Sequence, residues 1–208
     1  KGAWETDEAT AVAIADDHVP VGARRFRVAS TKKFKPGDTV LVRRHGNEDW
    51  IQEIGQDPEN EQRRWEPFTI EYDRVITAID GDFVEIDAPV TTAIEAPWGG
   101  GNMAKYTDPD RISNVGIENL RGVSDYDRTV RTVEYGNMDR EPYFGEEYYS
   151  DENHYWIFIN IDNAKNVWVR HVSALHFARG LARANGGAKW VTVQDCESWE
   201  PVSFCGGG

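Results

Sequence analysis

Two stretches of the chain, NAKNVWVRHVSALHF at residues 163–177 and GGAKWVTVQDCESWE at residues 186–200, share one pattern of apolar and polar positions. When the second stretch is moved back by 24 positions, Val191 falls on Val167 and the residues around both agree in size or polarity. An earlier stretch, ISNVGIENLRG at residues 112–122, fits the same pattern after a shift of 52 positions. The chain therefore contains an internal repeat.

The repeat alternates apolar and polar residues with a period of two, which is typical of strands with one buried face. A 24-residue repeat rich in valine and isoleucine suits one coil of a parallel β-helix, in which apolar side chains stack from coil to coil. We therefore predict stacked parallel strands over residues 111–203. Val167 is expected to lie over Val191. Val169 is expected to lie over Val193, with all four side chains pointing inward. A β-sandwich whose strands happen to look alike is the alternative.

The first half of the chain has a different pattern. It contains short alternating strands, and Asp80-Gly81 between two apolar runs is a β-hairpin signal. An all-β fold follows, with an antiparallel β module at residues 1–100 and the first coils of a right-handed parallel β-helix at residues 101–208. The run Gly99–Gly101 is predicted to mark the joint because it breaks any regular pattern. The expected core of the module consists of apolar strand residues: Val19, Val21, Phe26, Val28, Val40, Val42, Val75, Ile79, Val84 and Ile86.

Composition excludes some classes of function. The 208 residues carry a formal charge of −13, which argues against a nucleic-acid partner because phosphate binding needs a basic surface. No apolar run approaches the roughly 18 residues that a membrane span needs. The two cysteines, Cys196 and Cys205, set no disulfide framework. Neither a nucleic-acid partner nor a membrane span is therefore expected.

The repeat region is basic although the whole chain is acidic. Residues 157–195 hold five basic and two acidic side chains, together with His171 and His176. A basic strip of this kind attracts anions to one part of the surface. The repeat also predicts two outward columns of side chains, the first of Glu118, Arg170 and Gln194 and the second of Asn119, His171 and Asp195.

A long loop at residues 124–156 separates the first predicted coil from the second. It combines aromatic rings with carboxylates, which suits a sugar because the C–H faces of a sugar stack on rings while its hydroxyls seek acceptors. A loop that covers the open side of the solenoid is the alternative. The predicted substrate-binding residues are Tyr148, Tyr149, Tyr155 and Trp156 from this loop, with Lys189 from the repeat.

The repeat, the preceding β module and DENHYWIFINIDNAKNVWVRHVSALHFARG at residues 151–180 together resemble the secreted bacterial right-handed β-helix proteins of the pectate-lyase-like superfamily. The resemblance is strongest over residues 102–203 and extends to the module at residues 19–44. It implies an extracellular or cell-surface protein that processes polysaccharide on the outer face of its coils. The chain has fewer coils than such proteins usually have.

β-Elimination on an acidic glycan is the first predicted function. This reaction needs a base that takes the proton beside a uronate carboxylate, and a cation that makes that proton acidic. Ca²⁺ held by carboxylates can serve as the cation, so it is the predicted cofactor. The predicted catalytic residues are Arg170, His171 and His154, and the predicted metal ligands are Asp151 and Glu152.

Two other functions stay open. A non-catalytic carbohydrate-binding or surface-adhesin β-helix would need only the aromatic loop and the basic strip. A glycoside hydrolase would need two carboxylates roughly 5 to 10 Å apart, for which Glu118 and Asp195 are candidates.

The last coil raises a question of assembly. A solenoid that stops without a cap exposes unpaired backbone groups and an apolar cross-section. We therefore expect the edge at residues 190–205 to be covered by self-association with another chain or by further sequence.

Overall fold

The chain forms two compact units that divide between Asp108 and Pro109. The structure is a computed structural model that describes residues 4–56, 65–133 and 147–204. Within those ranges it is almost entirely β, with one short α-helix, α1 (Glu48–Glu53), and one turn of 3-10 helix at Ala96–Trp98. None of the helices described there has the length and apolar character of a membrane span. The predicted fold class, antiparallel β module followed by parallel β-helix coils, is confirmed.

The first unit is built on an antiparallel sheet of six strands in the order β1-β8-β4-β5-β6-β3, and β2 pairs separately with β7. The helix α1 follows β4, and its N-terminus is capped by Asn47, whose side-chain oxygen accepts a hydrogen bond from the Trp50 amide at 2.9 Å. The eight strands are β1 (Glu5–Ala13), β2 (His18–Val19), β3 (Arg25–Arg27), β4 (Thr39–His45), β5 (Thr69–Asp80), β6 (Phe83–Ile86), β7 (Ile94–Glu95) and β8 (Gly101–Thr107).

The core of this unit contains most of the predicted apolar residues, and local backbone position explains the two exceptions, Val21 and Val75. Val21 is 64% exposed because it lies in the turn that ends at Gly22, where φ is +87°. Val75 is only partly buried, because the neighbouring Ile76 is the residue of β5 that points inward. The remaining buried members of the predicted core are Val19, Phe26, Val28, Val40, Val42, Val84 and Ile86, with Ile79 packed against them.

The joint lies later than predicted. Gly99 and Gly100 adopt φ values of +111° and +61° and form a turn rather than a linker. Gly101 then begins β8, which pairs with β1 and β4 inside the antiparallel sheet. The first unit therefore extends to Asp108 instead of residue 100, because the glycine run lets β8 lie flat against β4.

The second unit stacks its strands in parallel. Strand β13 lies between β9 on one side and β15 and β16 on the other, and β12 pairs in parallel with β14. A short antiparallel pair, β10 with β11, lies in the predicted loop. The strands are β9 (Ile112–Val123), β10 (Arg131–Thr132), β11 (Tyr148–Tyr149), β12 (Ile157–Ile161), β13 (Ala164–Leu175), β14 (Gly180–Ala184), β15 (Lys189–Gln194) and β16 (Glu197–Trp199).

The strand register follows the repeat. Val167 pairs with Val115 and Val191. Val169 pairs in the same way with Ile117 and Val193, so the predicted stacking is confirmed. Both central valines are buried, because a strand packs against them on each side.

Apolar side chains are less buried on the two outer strands of the stack, β9 and β15, than on β13. Val193 is 50% exposed although it continues the column of Val169, which is 0% exposed. Leu120 pairs with the buried Val172 but is 46% exposed. Among the described strands, β9 and β15 each have β13 on one side only, which explains both exposures.

Candidate functional site

The first predicted outward column is present on the coils. Arg170 lies between Glu118 on β9 and Gln194 on β15. Its guanidinium forms an ion pair with the Glu118 carboxylate, in which Nε donates to Oε1 at 3.0 Å and Nη2 approaches the same oxygen. The indole Nε1 of Trp168 also donates to that oxygen, at 2.6 Å. Arg170 is therefore held as a cation beside a carboxylate.

Trp168 reaches Glu118 because the neighbouring coil has no side chain beneath the indole. Gly116 is the register partner of Trp168, and a Cβ at Gly116 would overlap the indole ring. The absence of a side chain thus gives the ring its place on the outer surface. A glycine opposite a tryptophan in the repeat is the sequence signal for this contact.

The stability that the ion pair of Arg170 with Glu118 contributes depends on pH. Hydrogen bonds from Arg170 and then from Trp168 hold the pKa of the Glu118 carboxyl below its ordinary value. Such a group contributes stability above the ordinary pKa of glutamate and loses that contribution as pH falls through the lowered pKa. Because both side chains are well exposed, the contribution is that of a surface ion pair, which is small.

The second outward column lies at a bend of the coils. Asn119, His171 and Asp195 occupy equivalent positions, with φ values of +55°, +52° and +52°. Asn, Asp and His are the residues other than glycine that most often accept this left-handed conformation. The geometry gives His171 a role in turning the chain, and its side chain remains exposed.

His154 is held through both of its ring nitrogens. Nε2 lies 2.8 Å from the carbonyl oxygen of Val202, and Nδ1 lies 2.8 Å from the hydroxyl of the buried Ser124. Because a carbonyl can only accept, we assign the proton to Nε2, and Nδ1 then accepts from Ser124. His154 therefore ties the loop to the segment that follows β16.

The two predicted metal ligands bind backbone amides. The buried Asp151 accepts from the amides of Asp127 and Asn153, both at 2.8 Å, and these bonds lower the pKa of its carboxyl. Glu152 accepts from the Ser203 hydroxyl at 2.6 Å and from the Phe204 amide at 2.5 Å. Within residues 4–56, 65–133 and 147–204, no group of three or more His, Cys, Asp or Glu side chains is arranged to hold a metal.

Two of the predicted sugar-binding tyrosines pack against neighbouring groups. The Tyr148 hydroxyl donates to the Phe204 carbonyl at 3.3 Å. Tyr149 meets the edge of Tyr126 with ring centres 5.3 Å apart, and the Arg131 guanidinium lies 4.7 Å from its ring centre. Residues 134–146 of the predicted loop lie outside the described residues.

The next two aromatic residues are open to solvent. Tyr155 is 76% exposed and Trp156 is 44% exposed. The Trp156 indole donates to the Glu152 carbonyl at 3.1 Å, and the Arg179 guanidinium lies 4.4 Å from the centre of its ring. Both residues therefore present ring surface to solvent, and the Trp156 ring does so next to a cation.

Lys189 lies beside a residue that the sequence prediction did not include. Its ammonium is 4.6 Å from the ring centre of Trp190, and Trp190 is 51% exposed. Trp190 occupies the place that Asn114 and Asn166 hold in the other coils. That mismatch within the repeat was visible in the sequence and is the signal that could have identified it.

The predicted site residues thus fall into three groups. Arg170 and His171 lie on the outer face of the coils, Lys189 lies at the start of β15, and the remaining residues lie on the loop at residues 147–156. An open groove of about 550 Å³ beside β14 and β15 is lined by other residues, among them Leu181, Val193 and Cys196.

Comparisons with known proteins point to one group of structures. No protein-family model and no curated protein matches the sequence. One similar solved structure is the Gp54 tailspike of Acinetobacter baumannii bacteriophage AP22 in complex with A. baumannii capsular saccharide, with 11% identity, a TM-score of 0.45, and coverage of 94% of this chain and 34% of that one. The Pseudomonas phage phi297 tailspike gp61 is also similar, with 14% identity, a TM-score of 0.42 and the same coverage.

A third similar structure is the tailspike gp49 of Pseudomonas phage LKA1, with 11% identity and a TM-score of 0.33. The match covers 89% of this chain and 29% of that one. The chain thus spans about a third of the length of these tailspikes. At this level of similarity the comparison identifies no activity for this chain.

Proposed function

We propose that the coil unit binds polysaccharide outside the cell. The observation that carries the proposal is the pair Tyr155 and Trp156, consecutive residues whose side chains are both exposed. Their carbonyl groups accept hydrogen bonds from the amides of Ala178 and Arg179, just before β14. Sugars present C–H faces that stack on aromatic rings, and loops on rigid scaffolds are common binding elements.

Charge favours an acidic polysaccharide. The coil segment at residues 157–195 has five basic and two acidic side chains in a protein with a net charge of −13. Arg179 lies against Trp156, so a carboxylate on a sugar stacked there would meet a guanidinium. Arg170 is paired with Glu118, so the other basic side chains of this segment would attract an acidic glycan while the acidic rest of the surface repels it.

The finer proposal is β-elimination on the bound glycan. Arg170 and His171 would act from the middle coil and His154 from the loop, with Ca²⁺ at Asp151 and Glu152. For Arg170 to take a proton, its guanidinium must first lose one and leave the Glu118 carboxylate, to which it donates. His154, Asp151 and Glu152 must each release the partners that they bind. Non-catalytic binding needs none of these changes, and the geometry therefore supports it better than elimination.

A binding experiment with matched variants tests the proposal. We expect the chain to bind polygalacturonate or alginate, and dextran more weakly, in isothermal titration. The double variant Tyr155→Ala/Trp156→Ala should bind at least about tenfold more weakly, because central aromatic residues dominate such interfaces. Trp65→Ala, which removes a ring that is 54% exposed in the other unit, is the control and should bind normally.

The same samples separate binding from catalysis. Ultraviolet absorbance reports unsaturated products of elimination, and reducing-end assays report hydrolysis, each with Ca²⁺ and with chelator. Unsaturated products that disappear in Arg170→Ala or His171→Ala would establish elimination. New reducing ends without unsaturation would establish hydrolysis. Absence of binding to every polysaccharide would overturn the proposed function.

A further inference from the structure

The stack of parallel strands has an unpaired edge on each side. Among the strands that the structure describes, β9 pairs only with one side of β13, and β15 and β16 pair only with the other side. We call these free sides the β9 edge and the β15–β16 edge. An unpaired strand edge offers a row of backbone donors and acceptors to any further strand that can add to it.

Both edges expose apolar side chains. On the β9 edge Ile112, Leu120 and Val123 are exposed, and on the β15–β16 edge Val193 and Trp199 are exposed. A strand added to either edge would remove this apolar surface from water, which is favourable. The two edges therefore share both of the features that favour the addition of a strand.

The apolar positions of the two edges match because both edges pair with the same strand. Val115 and Val191 pair with Val167 from opposite sides, and Ile117 and Val193 pair in the same way with the next inward residue of β13. A second copy of the chain that continued the stack would thus place its Val115 beside Val191 and its Ile117 beside Val193. Apolar side chains would meet apolar side chains along the contact.

The charges of the two edges are complementary in this register. Arg121 of the second copy would meet Glu197, because both residues pair with Ser173. Glu118 would meet the uncharged Gln194, because both pair with the same arginine of β13. Arg121 and Glu197 are exposed on their edges. Opposite charges at opposed positions attract and fix the register of a contact.

The backbone path of the two edges also agrees. Asn114 and Trp190 occupy equivalent positions with φ values of +59° and +54°, and Asn119 and Asp195 do so with φ values of +55° and +52°. The left-handed residues that bend each edge therefore fall at the same places in the register. Two edges that bend at the same places can stay paired along their length.

We propose that a second copy of this chain adds its β9 edge in parallel to the β15–β16 edge, so that the stack of one copy continues in the next. The two surfaces differ, so the contact is head-to-tail, and each added copy leaves one free edge of each kind. Association should therefore continue beyond a dimer as the protein concentration rises. This inference concerns assembly and does not depend on the proposed binding of polysaccharide.

Exchange of the two opposed charges tests the contact and its register. Sedimentation velocity of the 208-residue chain over a concentration series should show association. Arg121→Glu and Glu197→Arg should each weaken it by about threefold to tenfold, because each substitution opposes two like charges. The double variant Arg121→Glu/Glu197→Arg restores a pair of opposite charges and should recover most of the loss.

A matched control separates this contact from a general effect of charge. Arg24→Glu makes the same change of charge at an exposed arginine of the antiparallel unit, and it should associate as the wild type does. All of the variants should keep the melting temperature of the wild type at concentrations below the association range, because the substituted side chains are exposed. Losses of association can then be assigned to the contact rather than to unfolding.

The outcomes are distinct from those of the proposed function. A chain that sediments as a monomer at every concentration would overturn the inference and would favour a further coil of the same polypeptide as the cover of the β15–β16 edge. Single variants that weaken association without recovery in the double variant would contradict the register. Equal weakening in Arg24→Glu would assign association to net charge and would also overturn the inference. None of these results bears on the binding of polysaccharide.

Discussion

Replacement of Val169 by aspartate should destabilise the coil unit by more than about 4 kcal/mol, because a carboxyl group without a partner would enter a closed apolar interior. Val169 is 0% exposed and lies between Ile117 and Val193 in the central column of the stack. Urea unfolding followed by circular dichroism measures the change. We expect the coil unit of the variant to be unfolded or to unfold at much lower urea concentration.

The same substitution one coil later provides the control. Val193 continues the column of Val169 but is 50% exposed, so an aspartate there keeps its hydration. Val193→Asp should therefore cost less than about 1 kcal/mol. Similar losses in the two variants would contradict the inward stacking of the column.

Replacement of Gly101 by alanine should destabilise the antiparallel unit by about 3 kcal/mol, because the added methyl group has no room. A Cβ at Gly101 would overlap the backbone carbonyl of Arg43 and would lie 2.9 Å from Ile94 Cγ2. Strand β4 cannot shift away from the added methyl group easily, since it is paired on both sides within the sheet. Thermal unfolding with a denaturant series measures the loss.

Replacement of Gly100 by alanine is the control that separates steric overlap from backbone strain. Gly100 has a φ of +61°, and a Cβ there would find its nearest neighbour at an ordinary 3.8 Å. Gly100→Ala should therefore cost only the strain of a left-handed alanine, about 1 kcal/mol. A larger loss for Gly100→Ala than for Gly101→Ala would show that close approach to β4 is not the reason for the glycine.

The coils could be predicted from the sequence because stacked coils repeat the same order of apolar and polar positions. Each inward position repeats from coil to coil, so the 24-residue shift alone pairs Val167 with Val191. The same comparison located the column of Arg170. The exposure of Leu120 could not be predicted in this way, because a repeat marks equivalent positions and does not say which strands lie at the edge of the stack.

Features that depend on contacts distant in the chain were not predicted. The partners of His154, Ser124 and Val202, are 30 and 48 residues away from it, and no local pattern marks them. The glycine run at Gly99–Gly101 was interpreted as a joint between the two units because its contacts are also distant in the chain. Its close approach to Arg43 depends on how β4 and β8 pair.

The candidate site was predicted unevenly. Exposed rings such as Tyr155 and Trp156 follow from their setting in a polar loop. Trp190 was missed because the sequence shows it only as a departure from Asn114 and Asn166 at the same place in the repeat. The repeat placed Arg170 beside Glu118 in one outward column, and the structure joins the two side chains in an ion pair.

Hydrogen exchange in the presence of a bound acidic polysaccharide tests the central claim most directly. Backbone amides of the loop at residues 147–156 and of β13 and β15 should exchange more slowly with polygalacturonate or alginate than without it, because the ligand would restrict opening of the coils that it covers. Amides of β1 to β8 should be unaffected. Protection confined to residues 4–108 would place the binding surface on the antiparallel unit and would contradict the proposal that the coils bind the polysaccharide.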